Sequence, residues 1–170
     1  IKFKDFLNNI VIHNNEHRTD TVPCIYYFLS EISKFIKKEK IKTIIDIGSG
    51  LGRVLNFIHH QNKIKCYGIE FDKNTYERSL KLTNKKIKIY HGDVFKFNFN
   101  KTKFECFILV DPFKKDYYKK KFFDKILSLK QKKKFLITVN FKQILLPKQF
   151  KIVYSLIAGR GRSLKIYKII

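Results

Sequence analysis

The chain has 170 residues, a length that suits one domain with a single hydrophobic core. Hydrophobic residues make up 44% of it, but no apolar run approaches the roughly 18 residues of a membrane span, and the N-terminus shows no signal-peptide pattern. The formal net charge of +23 favours either a polyanion partner such as nucleic acid or the lysine bias of an AT-rich genome.

The first forty residues are predicted to form a lid segment and a helix. Apolar residues recur at helical spacing over 3–11, and the polar stretch 13–20 is expected to be a loop. A helix is predicted over 21–38, with Thr21 as its cap and Pro23 near its first turn.

Residues 41–54 carry the pattern around which the chain is organised. The β-branched apolar run 43–47 is typical of a parallel strand covered on both faces. Three glycines in the next five residues indicate a loop whose backbone approaches a ligand or adopts positive φ, and a helix follows over 53–60. Strand, glycine turn and helix N-terminus together predict a cofactor crevice at the carboxyl end of the strand.

The residue at position 53 helps to distinguish between two kinds of nucleotide-binding motif. A dinucleotide-binding fingerprint has its third glycine where this chain has Arg53, which argues against a dehydrogenase. A cation at a helix N-terminus also opposes the positive end of the helix dipole, at a cost of ~0.3–1 kcal/mol. Arg53 is therefore predicted either to serve the site or to point into solvent.

Three further predicted strands, over 65–70, 87–91 and 104–110, each end at or shortly before an acidic residue. These acids are Glu70, Asp93 and Asp111. A carboxylate such as Glu70 can accept both hydroxyls of a ribose, and each charged hydrogen bond contributes roughly 1.5–3 kcal/mol. The acids therefore predict a polar crevice along one edge of the sheet.

The other elements follow from local patterns. Asp72 is expected to cap a helix over 74–84. Only a loop or a single turn is expected over 95–103, because this stretch is short and alternates in polarity. A helix over 116–130 is predicted to present Tyr117 or Tyr118 to the core. Three strands are predicted after it, over 135–139, 150–156 and 164–169.

The three cysteines are predicted to be buried free thiols. Cys66 and Cys106 fall in predicted strands and Cys24 in a predicted helix. Their odd number suits a reducing compartment, so a cytoplasmic protein is expected. Their spacing does not suggest a metal site.

The glycine turn and the acid before it resemble motif I of the class I S-adenosylmethionine-dependent methyltransferases, D-x-G-x-G-x-G. The resemblance is carried by Asp46, Gly48, Gly50 and Gly52. It implies a Rossmann-like, doubly wound, mostly parallel sheet of seven strands with a C-terminal antiparallel hairpin. It also implies S-adenosyl-L-methionine as the cofactor.

The later acids match further positions of that family. Glu70 corresponds to its ribose-binding acid, and Asp93 with Val94 to its adenine-binding pair. The segment 111–113, D-P-F, resembles motif IV beside the transferable methyl, so Asp111, Pro112 and Phe113 are the expected catalytic residues. The expected cofactor-binding residues are Thr21, Asp46, Gly48, Ser49, Gly50, Gly52, Arg53, Glu70, Phe71, Asp93, Val94 and Asp111.

Within the family, D-P-F is closer to the N-P-F of small bacterial methyltransferases than to the D-P-P-Y of adenine methylases. Protein-lysine methyltransferases belong to the same broad group. The resemblance implies one methyltransferase domain, with 1–40 as lid and helix and 41–170 as catalytic core, in a monomer or weak dimer. The expected acceptor is an amine or other nucleophile on a protein or small molecule; RNA or DNA, or a non-catalytic nucleotide-binding module, are the alternatives.

Overall fold

A single seven-stranded sheet organises the computed structural model, which describes residues 24–130, 134–141, 146–159 and 161–170. The strand order is β3-β2-β1-β4-β5-β7-β6. Its first five strands in this order are mutually parallel, and β7 is antiparallel to both β5 and β6. The strands are β1 (Thr43–Ile47), β2 (Lys65–Glu70), β3 (Lys88–His91), β4 (Cys106–Val110), β5 (Lys134–Val139), β6 (Phe150–Ala158) and β7 (Arg162–Ile169). The predicted Rossmann-like architecture with its terminal hairpin is confirmed.

Helices cover both faces of this sheet. They are α1 (Tyr26–Lys38), α2 (Arg53–Asn62), α3 (Lys73–Leu82) and α4 (Asp116–Leu127). One face packs against the apolar residues of α1 and α2, with Tyr76 of α3 at the margin, and the other face packs against α4. The two hydrophobic layers fix the register of each strand, because a one-residue slip would turn its core face outward.

Between β3 and β4 the chain forms only a short 3₁₀ turn, Phe99–Lys101, as the short alternating stretch predicted. Phenylalanines take the place of a crossover helix on this part of the sheet. Phe99 is almost fully buried and its ring contacts those of Phe97, Phe104 and Phe107, with centroids 5.0–6.0 Å apart. These aromatic contacts seal the sheet face beneath the predicted site.

The start of α1 differs from the prediction. The helix begins at Tyr26, and Ile25 occupies its N-cap position in an extended conformation, so Thr21 does not cap it. Cys24 therefore precedes the helix, and its buried side chain packs into the core of the α1 face. Ile25 makes no side-chain cap hydrogen bond, so the capping pattern in the sequence does not mark the start of the helix. Thr21, Pro23 and the predicted lid lie outside the described residues.

Two further details refine the prediction. α4 ends at Leu127, three residues earlier than expected, and Tyr118, not Tyr117, is the tyrosine that packs against the core. All three cysteines are buried and free, as predicted. In the described part of the chain, no helix has the length and apolar character needed to cross a membrane.

Candidate functional site at the carboxyl edge of the sheet

The four predicted acids lie at the ends of four adjacent parallel strands. Asp46 pairs in register with Gly68 of β2 and Ile108 of β4, one step before the end of β1. Glu70 is the last residue of β2 and pairs with the last residue of β3. Asp93 and Asp111 follow within two residues of the ends of β3 and β4. Parallel strands present all these ends at the same edge, where α/β folds bind their ligands.

The glycine turn docks directly onto the end of β2. The backbone N–H groups of Gly48 and Ser49 both donate to the carbonyl of Ile69, at 2.9 and 3.0 Å. The Gly50 N–H donates to Oε2 of Glu70 at 2.8 Å. These contacts hold the turn between β1 and β2 and bring it onto the predicted ribose-binding acid.

Gly68 makes this close approach possible. A Cβ built at Gly68 would lie 2.7 Å from Oγ of Ser49 and 2.8 Å from Cδ1 of Leu55. Real Cβ atoms do not approach other heavy atoms so closely, so a larger residue in β2 would push the turn away. The G-x-E spacing at the end of β2 thus has a packing reason beside its resemblance to the family.

Backbone donors orient the Glu70 carboxylate from two sides. Its Oε2 accepts from Gly50, and its Oε1 accepts from the N–H of Asp72 at 2.9 Å. The side chain is buried. Asp72 in turn caps α3 by accepting from the Thr75 N–H at 2.8 Å, as predicted. Glu70 is therefore held in one orientation, with further lone pairs on both oxygens able to accept a ligand's hydroxyls.

Asp46 is the most deeply buried acid of the group, with 2% of its surface exposed. Its Oδ1 has no hydrogen-bond partner among the described residues. Burial raises the pKa of the Asp46 carboxyl well above its usual value, and the negative charge of Glu70 adds to the effect. A buried acid with an unsatisfied oxygen is a conflict that natural proteins keep mainly where a ligand relieves it.

Arg53 does not simply point into solvent, the simpler of its two predicted roles. It is half-buried at the first position of α2, and its guanidinium lies 4.4 Å from the ring centroid of Tyr26. The cation-π contact ties the helix that follows the glycine turn to the start of α1. Arg53 Nε is buried without a hydrogen-bond partner in the described part of the chain.

The segment after β3 lies beside the same edge. The Gly92 N–H donates to the backbone carbonyl of Glu70 at 2.9 Å, and Asp93 follows, half-buried. One oxygen of Asp93 accepts from the Phe95 N–H at 2.8 Å, and the side chain of Val94 is buried. Phe71, by contrast, is 49% exposed beside the Glu70 end of β2.

The D-P-F segment joins the glycine turn to the segment after β3. A Cβ built at Gly48 would lie 2.9 Å from Cβ of Pro112, so the turn and the proline are in contact. Phe113 is buried, and its ring packs against Phe95 at 5.8 Å between centroids. Asp111 has a φ of +43°, which is uncommon for a residue with a side chain. Backbone conformations of this kind concentrate at functional sites.

Three neighbours of the site were not found from the sequence. Tyr26 stacks on Arg53, Phe95 packs on Phe113, and the charge of Asp46 acts on the thiol of Cys24. Burial raises the pKa of the Cys24 thiol to about 12, and the Asp46 charge adds to the effect. Each contact joins segments distant in the chain, so no local pattern could reveal it. Thr21 is the one predicted site residue outside the described part of the chain.

The sheet order, the terminal hairpin and the strand-end acids define the class of fold: it is that of the class I S-adenosylmethionine-dependent methyltransferases. Within this class, the sequence also matches one particular family. A family model described as methionine biosynthesis protein MetW matches residues 28–153, and the chain belongs to this family. Comparison with curated proteins gave no match. The narrower resemblance to small bacterial and protein-lysine enzymes stays a prediction.

Solved structures similar to this chain support the fold. An RNA methyltransferase from Salinibacter ruber with S-adenosyl-L-homocysteine has a TM-score of 0.68 at 13% identity, over 87% of this chain and 94% of that one. The methyltransferase domain of bacterial CtHen1-CN has a TM-score of 0.65 at 10% identity, with 84% and 97% covered. A mutant of MtNAS with S-adenosylmethionine has a TM-score of 0.65 at 13% identity, with 84% and 62% covered. The MtNAS structure thus contains the cofactor expected from the sequence, and the Salinibacter ruber structure contains S-adenosyl-L-homocysteine, which is that cofactor without its methyl group.

Proposed function

We propose that the protein transfers the methyl group of S-adenosyl-L-methionine to a nucleophile held beside Asp111, Pro112 and Phe113. The observation that carries the proposal is the convergence of four acids and a glycine turn at one edge of four adjacent parallel strands. A structural role for these acids would not require all four to gather there. In open α/β sheets this edge is the usual ligand site.

The residues at this edge fit an adenosyl amino acid. Asp46 Oδ1 and Ser49 Oγ are buried polar atoms without a hydrogen-bond partner among the described residues; Asp46 lies just before the glycine turn and Ser49 within it. We assign Asp46, Arg53 and the turn residues Gly48, Ser49, Gly50 and Gly52 to the amino-acid portion. Orphaned acceptors and donors at this turn would be satisfied by an ammonium and a carboxylate.

We assign the nucleoside portion of the cofactor to residues at the ends of β2 and β3. Glu70 would accept the ribose hydroxyls, because two backbone donors already fix its carboxylate. Asp93 would accept the exocyclic amine of adenine, and the backbone of Val94 would donate to a ring nitrogen. Phe71 would cover one side of this portion with its exposed ring, and Thr21 would approach the cofactor from the lid.

The cofactor supplies a methyl group on a sulfonium, which is already activated for in-line displacement. The protein's part is therefore mainly positioning. Asp111, which directly follows β4, would accept a hydrogen bond from an acceptor amine and so orient the lone pair of the amine nitrogen toward the methyl group. Pro112 and Phe113 would form the wall against which the acceptor group packs and from which water is excluded.

Transfer of a labelled methyl group tests this proposal. The purified protein is incubated with a cell extract and tritiated S-adenosylmethionine, and acid-insoluble and small-molecule fractions are counted. We expect label above the level given by an Asp111→Ala variant that still binds the cofactor. A non-catalytic module would leave wild type and variant equal, and this outcome would contradict the proposal.

A further inference from the structure

The surface beside the D-P-F segment is strongly basic. Residues 114–125 contain six lysines and two aspartates, a formal charge of +4 in twelve residues. Lys114, Lys115, Lys120 and Lys121 are exposed. One of the two aspartates, Asp116, is paired with the buried Lys119, with Oδ1 and Nζ 3.0 Å apart. The acceptor side of the site is therefore bordered by positive charge that faces solvent.

A row of aromatic rings leads from the D-P-F segment to this surface. Phe113 packs on Phe95, Phe95 on Tyr118, and Tyr118 on Tyr117, with centroids 5.8, 5.8 and 5.2 Å apart. Exposure rises along the row, from the buried Phe113 to Tyr117, which is 66% exposed. The row therefore begins at the D-P-F segment and ends in a ring that is largely open to solvent.

Lysine and aromatic side chains are interleaved on this surface. The Nζ of Lys121 lies 4.8 Å from the ring centroid of Phe95. Tyr117 precedes Lys120 and Lys121 by three and four residues in α4, the spacing that places helical residues on one face. Lysines and aromatic rings thus lie beside one another between the D-P-F segment and the first turns of α4.

We propose that the methyl acceptor is a single-stranded nucleic acid, a proposal that rests on the methyltransferase function above. Its phosphates would contact Lys120 and Lys121, a base would stack on the exposed ring of Tyr117, and one nucleotide would reach the D-P-F segment. Rings stack on bases of any sequence, and lysines bind phosphates. A small-molecule acceptor would need neither the charged surface nor the exposed ring. A basic protein tail would be repelled by these lysines.

Binding of short fluorescent oligouridine and oligodeoxythymidine, followed by anisotropy across a salt series, tests the proposal. We expect log affinity to fall linearly with log salt. For a single strand, each phosphate contact adds roughly 0.7 to the steepness of this slope. The double variant Lys120→Ala with Lys121→Ala should therefore reduce the steepness by about 1.4. Lys37→Ala with Lys38→Ala is the matched control, since these are adjacent exposed lysines in the last turn of α1, and it should leave the slope unchanged.

Stacking is tested separately at Tyr117. Tyr117→Ala should weaken oligonucleotide binding by about tenfold, and Tyr117→Phe should retain it, because a stacked base needs the ring and not the hydroxyl. Equal binding by wild type, the alanine variant and the lysine pair would overturn the proposal. So would methyl label that is sensitive to protease and resistant to nuclease.

Calorimetry with S-adenosyl-L-homocysteine on the same variants separates the two proposals. The surface variants should bind this product as wild type does, which also shows that they are folded. If wild type binds the product but no oligonucleotide, the acceptor proposal fails alone. If wild type does not bind the product, the proposed function fails and takes the acceptor proposal with it.

Discussion

Asp46 carries the sharpest conflict at the scale of single residues. It is almost fully buried, its Oδ1 lacks a partner among the described residues, and the Glu70 carboxylate lies near enough to raise its pKa. An ionised carboxylate here costs stability that a neutral group of the same shape would not. Proteins tolerate such a cost where ligand binding relieves it. Replacing Asp46 should therefore raise the stability of the ligand-free protein and lower its affinity for the cofactor.

Asp46→Asn should stabilise the ligand-free protein at neutral and higher pH. Because the pKa of Asp46 is raised on folding, the carboxyl's contribution is fully favourable below its unfolded pKa and is lost as pH rises through the folded pKa. Asparagine removes this loss, so the gain should grow from near zero at pH 4 to about 1–3 kcal/mol at pH 8. Urea unfolding at a series of pH values measures it; a gain that is absent or independent of pH would contradict the burial argument.

At the scale of elements, the glycine turn depends on backbone conformations that other residues resist. Gly48, Gly50 and Gly52 all have positive φ. Gly52 is also the N-cap of α2, and a Cβ there would lie 2.2 Å from Cγ2 of Thr83, just beyond α3. The turn is therefore shaped both by its own φ angles and by the packing of α3 behind it.

Gly52→Ala should lower the free energy of unfolding by about 2–4 kcal/mol, because it combines a left-handed conformation with a steric clash. Gly161→Ala is the matched control: its φ is +68° and a Cβ would meet nothing within 4 Å, so it should cost only about 1–2 kcal/mol. Adding Thr83→Ser removes the clashing methyl but keeps the hydroxyl that donates to the Ser79 carbonyl. Urea denaturation should show partial recovery in this double variant; equal losses at Gly52 and Gly161 would refute the clash.

The strands, the glycine turn and the absence of a crossover helix were predictable because each is encoded by a short local pattern. The β-branched run of β1, the alternation in β6 and β7, and the capping Asp72 depend on neighbours in the chain. The patterns did not predict that lysines are buried: Lys119 is only 2% exposed and lies 4.8 Å from the Phe141 ring centroid, and Lys134 is 5% exposed.

What the sequence left open depends on contacts between distant segments. α1 begins at Tyr26 without a side-chain cap, and the guanidinium of Arg53 lies over the Tyr26 ring. The choice of Tyr118 over Tyr117 as the core residue depends on Phe95, more than twenty residues earlier. Local periodicity gives the type of an element, whereas its exact ends and its polar contacts follow from tertiary packing.

Net charge is the dominant property at the scale of the whole molecule. The chain has 37 lysine and arginine residues but only 14 aspartate and glutamate residues. Three of the ion pairs among the described residues are local, because they join positions three or four apart on a helix. Surface pairs of this kind contribute little. Most of the positive charge therefore repels itself in the folded state.

Added salt should stabilise the ligand-free protein. The screening length falls from about 30 Å at 0.01 M to about 8 Å at 0.15 M, so repulsion among lysines weakens. The thermal midpoint should rise across this range at constant pH, measured by circular dichroism. A midpoint that falls with salt would mean that attractive pairs outweigh repulsion. The same screening should weaken oligonucleotide binding, so the two effects have opposite signs.

Calorimetric titration with S-adenosyl-L-homocysteine measures whether the carboxyl edge of the sheet binds an adenosyl cofactor. Glu70→Gln removes a charged acceptor worth roughly 1.5–3 kcal/mol, so it should bind about 10–100-fold more weakly than wild type. Glu77→Gln is the control, because Glu77 lies on α3 with an exposed side chain, 3.9 Å from Lys73. We predict saturable one-site binding by wild type and this control, with the loss confined to Glu70→Gln. Equal affinity in all three proteins would contradict the role of Glu70. No binding by wild type would contradict the assignment of this edge as the cofactor site.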